Sequence, residues 1–164
     1  MRTCYTDRRD PSQRWAHIAP SLRPGDRVLD YGAAEGHYAA AAAALGCQVV
    51  AIDDVRLPTR LPDRVIPVRR RVAPDELVQF GMFDVVLALS VLHHLERWRE
   101  GWEAVLAVTR RHLFVEVPHP DEVGVAGSDN RQLYDHVAGA GGTWLCSTPG
   151  WDRSRLRCLW RIDR

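Results

Sequence analysis

The stretch 28–54, VLDYGAAEGHYAAAAAALGCQVVAIDD, holds acidic and small residues at intervals that suit a nucleoside-binding turn. Asp30 closes the first apolar run, and Asp53 with Asp54 closes the second. An acidic residue at the end of a second strand, about 20 residues after the first turn, can accept hydrogen bonds from a ribose diol. We therefore expect Asp53, with Asp54 beside it, to hold a ribose. The residues of the turn at alternate positions are Gly32, Ala34 and Gly36.

The residues of this turn also indicate what the ligand lacks. Gly32 would turn the chain out of the strand, and Gly36 would let the next helix begin close to the sheet. A dinucleotide needs G-x-G-x-x-G, so that its pyrophosphate can lie on the helix N-terminus. Here the spacing is shorter and Glu35 stands at that terminus, where a carboxylate would repel pyrophosphate. The pattern favours a nucleoside without phosphates that carries a positive group for Asp30.

Seven apolar runs bounded by turn residues predict seven strands. Helical spacing between them predicts helices over 35–45, 95–109 and 130–140 and a short helix over 74–80. This alternation predicts an α/β fold: a doubly wound, mostly parallel seven-stranded sheet whose last two strands form an antiparallel hairpin. We expect one domain over 1–164 without a cap domain. The runs are DRVLDYG, CQVVAIDD, RVIPVRR, FDVVLALS, RHLFVEVP, GTWLCSTPG and RLRCLWRID.

Four motifs, VLDYGAAEG, VVAIDD, FDVVLALSVLHHL and RHLFVEVP, together resemble class I S-adenosylmethionine-dependent methyltransferases, in particular small bacterial and phage-type members. The resemblance implies that family's Rossmann-like fold, S-adenosyl-L-methionine as cofactor, and methyl transfer to an oxygen or nitrogen nucleophile. It also implies that segment 1–24, with Tyr5 and Trp15, folds over the cofactor as a lid.

The resemblance assigns cofactor contacts residue by residue. Asp53 would hold the ribose hydroxyls, while Leu89 and Ser90 would flank the sulfonium at the end of the fourth strand. The family's acidic residue for the adenine amine is absent from RRRVAPDEL, so Val72 and backbone groups are the expected adenine contacts. The methionine end would be lined by Asp30, Gly32, Ala34 and Gly36.

The histidines after the fourth strand are the candidate catalytic groups. An imidazole titrates near neutral pH, so His93 or His94 could remove a proton from the acceptor. His93 is preferred, because it resembles in position the base of hydroxyl methyltransferases with a His-Asp-Trp motif; packing or capping the following helix is the alternative. His119, Asp121 and Glu122 follow the fifth strand at the same edge and could contact the acceptor. The loop GVAGSDN would lie over the acceptor side. We expect no metal.

Composition excludes several classes of function. The net charge of +1 gives no overall attraction to nucleic acid, and no apolar run approaches the roughly 20 residues that span a bilayer. We expect a cytoplasmic protein that does not bind membranes. It would act on an acceptor of unknown class and could close its site by forming a homodimer.

Two alternative functions stay open: a non-catalytic module that binds S-adenosylmethionine for a partner, and an NAD-dependent oxidoreductase.

Overall fold

The structure, a computed structural model, describes residues 10–122, 130–150 and 155–164. The strands are β1 Arg27–Tyr31, β2 Gln48–Ile52, β3 Val65–Val68, β4 Phe83–Leu89, β5 Thr109–Val117, β6 Thr143–Pro149 and β7 Leu156–Asp163. They form one sheet in the order β3-β2-β1-β4-β5-β7-β6. Strands β1 to β5 pair in parallel, and β7 lies antiparallel between β5 and β6. The predicted sheet with its terminal hairpin is confirmed.

Two helices begin two or three residues later than predicted, and the three predicted α-helices end one or two residues earlier. The helix expected from Glu35 begins at His37, because Gly36 adopts a left-handed conformation with φ 71° at its N-cap. The helix expected from Leu95 begins at Trp98, and the short helix 74–80 is a 3₁₀ helix. In the described ranges the α-helices are α1 Ser12–Ile18, α2 His37–Ala44, α3 Trp98–Ala107 and α4 Asn130–Gly139.

Helices cover both faces of the sheet, as a parallel sheet requires. Side chains of β4 alternate between the two cores: Val86 and Ala88 pack on the side of α3 and α4, whereas Val85 and Leu87 pack on the side of α1 and α2. All four side chains are fully buried. The sequence of β4 is therefore a continuous apolar run, since both of its faces are buried. Its backbone pairs in register with β1 on one side and with β5 on the other.

The order of the strands reverses beside β1, which pairs with β2 on one side and with β4 on the other. A crevice opens at the carboxyl ends of the strands at such a point, and ligands bind there in open α/β sheets. The turn after β1 is anchored in this crevice, since the N–H groups of Gly32 and Ala33 both donate to the Ile52 carbonyl at 2.9 Å.

No helix in the described part of the chain is long and apolar enough to cross a bilayer.

Candidate active site

A cleft of about 990 Å³ lies at the carboxyl ends of the central strands. Of the predicted site residues, Gly36, His119 and Asp121 are not among those that line it. The predicted residues that do line it are Asp30, Gly32, Ala34, Asp53, Asp54, Val72, Leu89, Ser90, His93, His94 and Glu122. The sheet thus brings together residues from five separate segments of the sequence.

The turn after β1 depends on small residues in left-handed conformations. Gly32 has φ 80°, and a Cβ atom there would lie 2.7 Å from the Val91 side chain. A Cβ at Gly36 would lie 2.9 Å from Leu61. Ala34 also has a positive φ, 48°, which costs an L-residue about 1–2 kcal/mol. Its N–H offsets part of that cost by donating to the Asp53 carboxylate at 2.9 Å.

Backbone N–H groups hold the Asp53 side chain at the end of β2. Its Oδ1 accepts from Val55 at 3.0 Å and Arg56 at 2.9 Å, while Oδ2 accepts from Ala34. A carboxylate oxygen has two lone pairs, so Oδ2 retains capacity to accept from a ligand hydroxyl. Asp54 lies at the rim, where it forms an ion pair of 3.3 Å with the exposed Arg71.

Asp30 is the buried acid of the cleft. The residue is 2% exposed, and its Oδ2 has no hydrogen-bond partner within the described ranges. Burial raises the pKa of Asp30 to about 7, and the nearby Asp53 charge adds to the rise, although a backbone hydrogen bond from Ala39 opposes it. A buried carboxyl of this kind would be stabilised in its charged form by a ligand cation.

Three consecutive residues after β3 line the cleft: Arg70, Arg71 and Val72. Val72 is 2% exposed, and its carbonyl accepts a hydrogen bond of 2.9 Å from the Tyr31 hydroxyl. Burial raises the pKa of Tyr31 to about 12, so this phenol keeps its proton and remains a donor. Val72 is therefore the apolar residue of this segment that a ring in the cleft could contact.

His93 and His94 lie on the short 3₁₀ helix Leu92–His94 that follows β4. Their rings are 4.0 Å apart between centroids and tilted by 37°. His93 is buried, whereas His94 is exposed on the cleft side. Desolvation by the cleft wall lowers the pKa of His94, as do the positive charges of Arg157 and Arg56; the Glu122 carboxylate opposes them.

The residues predicted after β5 lie in one turn, where the Glu122 N–H donates to the His119 carbonyl at 2.9 Å, but their side chains have different partners. Glu122 forms an ion pair with Arg157, whose Nε lies 3.1 Å from Oε2 and whose Nη2 contacts Oε1. Asp121 instead forms an ion pair with Arg131, and its N–H donates to His119 at 3.1 Å. The roles of His119 and Asp121 therefore remain predictions.

Several arginines of the cleft were not predicted from the sequence, among them Arg157 and Arg14. Arg157 lies in β7 on the same side as the buried Leu159, so strand alternation could have placed it inward. Arg14 lies one helical turn before the buried Ile18, which marks the inner face of α1. The sequence offered no signal for their partners.

Another omission is a buried polar network at the end of β5. The Glu116 carboxylate accepts from Arg14 at 3.3 Å, from Thr148 at 2.9 Å, and from the Ser90 hydroxyl. Ser90 has a left-handed backbone with φ 57°. All four residues are buried.

Two segments with sequence-based predictions are only partly described. Tyr5 lies outside the described residues, as does the predicted loop GVAGSDN except for Asn130, which begins α4. In the parts of the chain that the structure covers, no three His, Cys, Asp or Glu residues are grouped so that they could hold a metal ion.

Comparison with solved structures shows the same fold in several methyltransferases. This chain superposes on a Burkholderia thailandensis 1,6-didemethyltoxoflavin N1-methyltransferase with a TM-score of 0.71 and 23% identity. The superposition covers 99% of this chain and 81% of the other, which was crystallised with 1,6-didemethyltoxoflavin and S-adenosylhomocysteine. A Synechocystis PCC 6803 magnesium protoporphyrin IX methyltransferase with bound S-adenosylmethionine gives 0.60 at 16% identity, over 94% and 77% of the two chains.

The bifunctional kinase-methyltransferase WbdD gives a TM-score of 0.68 at 19% identity, and 94% of this chain covers only 40% of WbdD. No curated protein sequence matches significantly. A family model described as a methyltransferase domain matches residues 5–160, which is nearly the whole chain. The chain therefore belongs to the methyltransferase-domain family, and it is an S-adenosylmethionine-dependent methyltransferase.

Proposed function

We propose that this methyltransferase acts on an oxygen or nitrogen nucleophile whose proton is removed by His94. The observation that carries the proposal is the position of His94: the ring is accessible from the cleft, and its surroundings lower its pKa. A neutral imidazole at physiological pH can accept a proton, whereas an imidazolium cannot. A hydroxyl or protonated nitrogen acceptor needs such a group.

The residues of the cleft fit the cofactor. The orphaned Oδ2 of Asp30 suits the positively charged methionine end, and the Asp53 carboxylate suits the ribose diol. The small residues at Gly32 and Ala34 keep the turn close to the ligand. Val72 suits the adenine ring. When bound, S-adenosylmethionine supplies an electrophilic methyl group on a sulfonium that is already a good leaving group.

The protein's own contribution is then alignment and proton removal. β4 ends at Leu89, Ser90 follows it at the cleft, and His93 and His94 come within the next four residues. The buried His93 ring packs against His94 and would limit its rotation. We propose that His93 orients His94 and that Glu122, with Arg157, forms the wall against which the acceptor lies.

The size of the cleft bears on the acceptor. Small-molecule sites have volumes of about 300–1,000 Å³. The observed volume of about 990 Å³ therefore has room for the cofactor together with a small acceptor or the reactive end of a larger one. The Burkholderia thailandensis relative was crystallised with a small heterocyclic compound, which makes such compounds a reasonable first acceptor set.

The experiment is a transfer assay with methyl-labelled S-adenosylmethionine against pools of hydroxyl and amine acceptors, followed by mass spectrometry of the labelled product. With an acceptor found, we expect His94→Gln to lower kcat by about 10²–10⁴-fold. It should leave S-adenosylhomocysteine affinity nearly unchanged.

His93→Gln is the matched control, and we expect a smaller loss of kcat because His93 only orients its neighbour. Methylation at carbon or sulfur would contradict the proposed acceptor chemistry. Full activity of His94→Gln would show that another group removes the proton.

A further inference from the structure

The buried carboxylate of Glu116 links three elements of the fold through hydrogen bonds. It stands at the carboxyl end of β5 and is 1% exposed. Its donors come from α1 through Arg14, from the end of β4 through Ser90, and from β6 through Thr148. Removal of such a carboxylate would leave the buried Arg14 guanidinium without a counter-charge, which is strongly unfavourable.

Arg14 has donors left over after this contact. Its Nη1 donates to Glu116 at a long 3.3 Å, and its buried Nε has no hydrogen-bond partner within the described ranges. The residue is 2% exposed and lines the cleft. A guanidinium carries five N–H donors and pairs well with carboxylates. An anionic ligand group could therefore accept hydrogen bonds from the Arg14 N–H groups that Glu116 does not occupy.

The position of Arg14 indicates which part of the cofactor it would meet. The guanidinium lies 5.4 Å from the centre of the Tyr38 ring, and Tyr38 is the second residue of α2, directly after the glycine turn. The next residue of α2, Ala39, gives a backbone hydrogen bond to Asp30, the carboxyl that suits the amino group at the same end of the cofactor. The single carboxylate of S-adenosylmethionine is attached to the carbon that bears this amino group.

We propose that Glu116 is a positioning residue for the cofactor: it holds Arg14 so that the guanidinium receives the cofactor's α-carboxylate. The same carboxylate also accepts from the hydroxyl of Ser90, whose backbone is left-handed, so it links α1 to the end of β4. The inference rests on the cofactor and is independent of the acceptor and of the role of His94.

The test is calorimetric titration with two nucleosides. S-Adenosylhomocysteine carries the α-carboxylate, whereas 5′-methylthioadenosine lacks the whole amino-acid end. We expect Arg14→Met and Glu116→Gln each to weaken S-adenosylhomocysteine binding by about tenfold or more, with methylthioadenosine affinity changed by less than about twofold. Thr148→Val removes another donor to the same carboxylate without touching the cleft, and it should leave both affinities unchanged.

A role in folding alone would weaken both nucleosides by the same factor, and that result would overturn the proposal, as would unchanged binding. If Glu116→Gln does not fold, the double variant Arg14→Met/Glu116→Gln replaces it, since it contains no unpaired buried charge. It should bind S-adenosylhomocysteine as Arg14→Met does. A further loss in the double variant would show that Glu116 acts without Arg14.

Discussion

Replacement of Asp30 by asparagine removes a buried ionisable group without changing the size of the side chain. Burial raises the pKa of Asp30 from 3.8 to about 7. The folded state therefore binds a proton that the unfolded state has released between these two values. Stability contributed by this group is fully present below pH 3.8, and it is lost as pH rises through about 7.

The magnitude follows from proton linkage at about 1.36 kcal/mol per pKa unit. At pH 8 the full shift of about 3 units acts against folding, which is about 4 kcal/mol. At pH 5 only the portion of the pKa shift between 3.8 and 5 opposes folding, and it lowers the free energy of unfolding by about 1.6 kcal/mol. We expect Asp30→Asn to be more stabilising at pH 8 than at pH 5 by about 2.5 kcal/mol.

The assay is urea unfolding of both proteins at pH 5 and pH 8, with the free energy of unfolding extrapolated to water. Comparison of two pH values cancels the contribution of the new amide's hydrogen bonds, because the amide does not titrate. Ala51→Gly, at the position paired with Asp30 in β2, is a buried control whose effect should not depend on pH. An equal effect of Asp30→Asn at both pH values would refute the reasoning.

The same variant should bind the cofactor more weakly. The positive methionine end would be stabilised by the charged carboxylate, so Asp30→Asn should cost about tenfold or more in S-adenosylmethionine affinity at pH 8. In the unmutated protein, cofactor binding should release protons near pH 7, which calorimetry in buffers of different ionisation enthalpy would detect. Binding without proton release would place the cation away from Asp30.

Gly32→Ala places a Cβ 2.7 Å from Val91 at a φ of 80°, so we expect a loss of stability of about 1–3 kcal/mol and weaker cofactor binding. Gly139→Ala, where a Cβ meets nothing within 4 Å, is the control in thermal unfolding, and equal effects would contradict the steric argument. Arg157→Met should raise the pKa of His94, because the lost positive charge lowers it in the intact protein. An NMR titration of the His94 ring would measure the change, and a lower midpoint in the variant would contradict the assignment.

Much of the fold follows from local patterns in the sequence. Each strand is a short apolar run between turn residues, and each helix has its own spacing, so the seven strands could be placed before any tertiary contact was known. The helix starts were less accurate, because the left-handed conformation of Gly36 ends the turn later than spacing alone indicates. The position of Asp53 was predicted equally well from the sequence, because it depends only on where the second strand ends.

The sequence by itself determined the order of elements, the small-residue turn and the acids at the ends of β1 and β2. Only the tertiary structure decided that Arg14 meets Glu116, 102 residues later, and that Glu122 meets Arg157, 35 residues later. These pairs depend on β7 entering the sheet beside β5 and on α1 packing over the strand ends. Side chains that are distant in the chain carry no shared local pattern, so their contacts arise only once the order of the strands has been set.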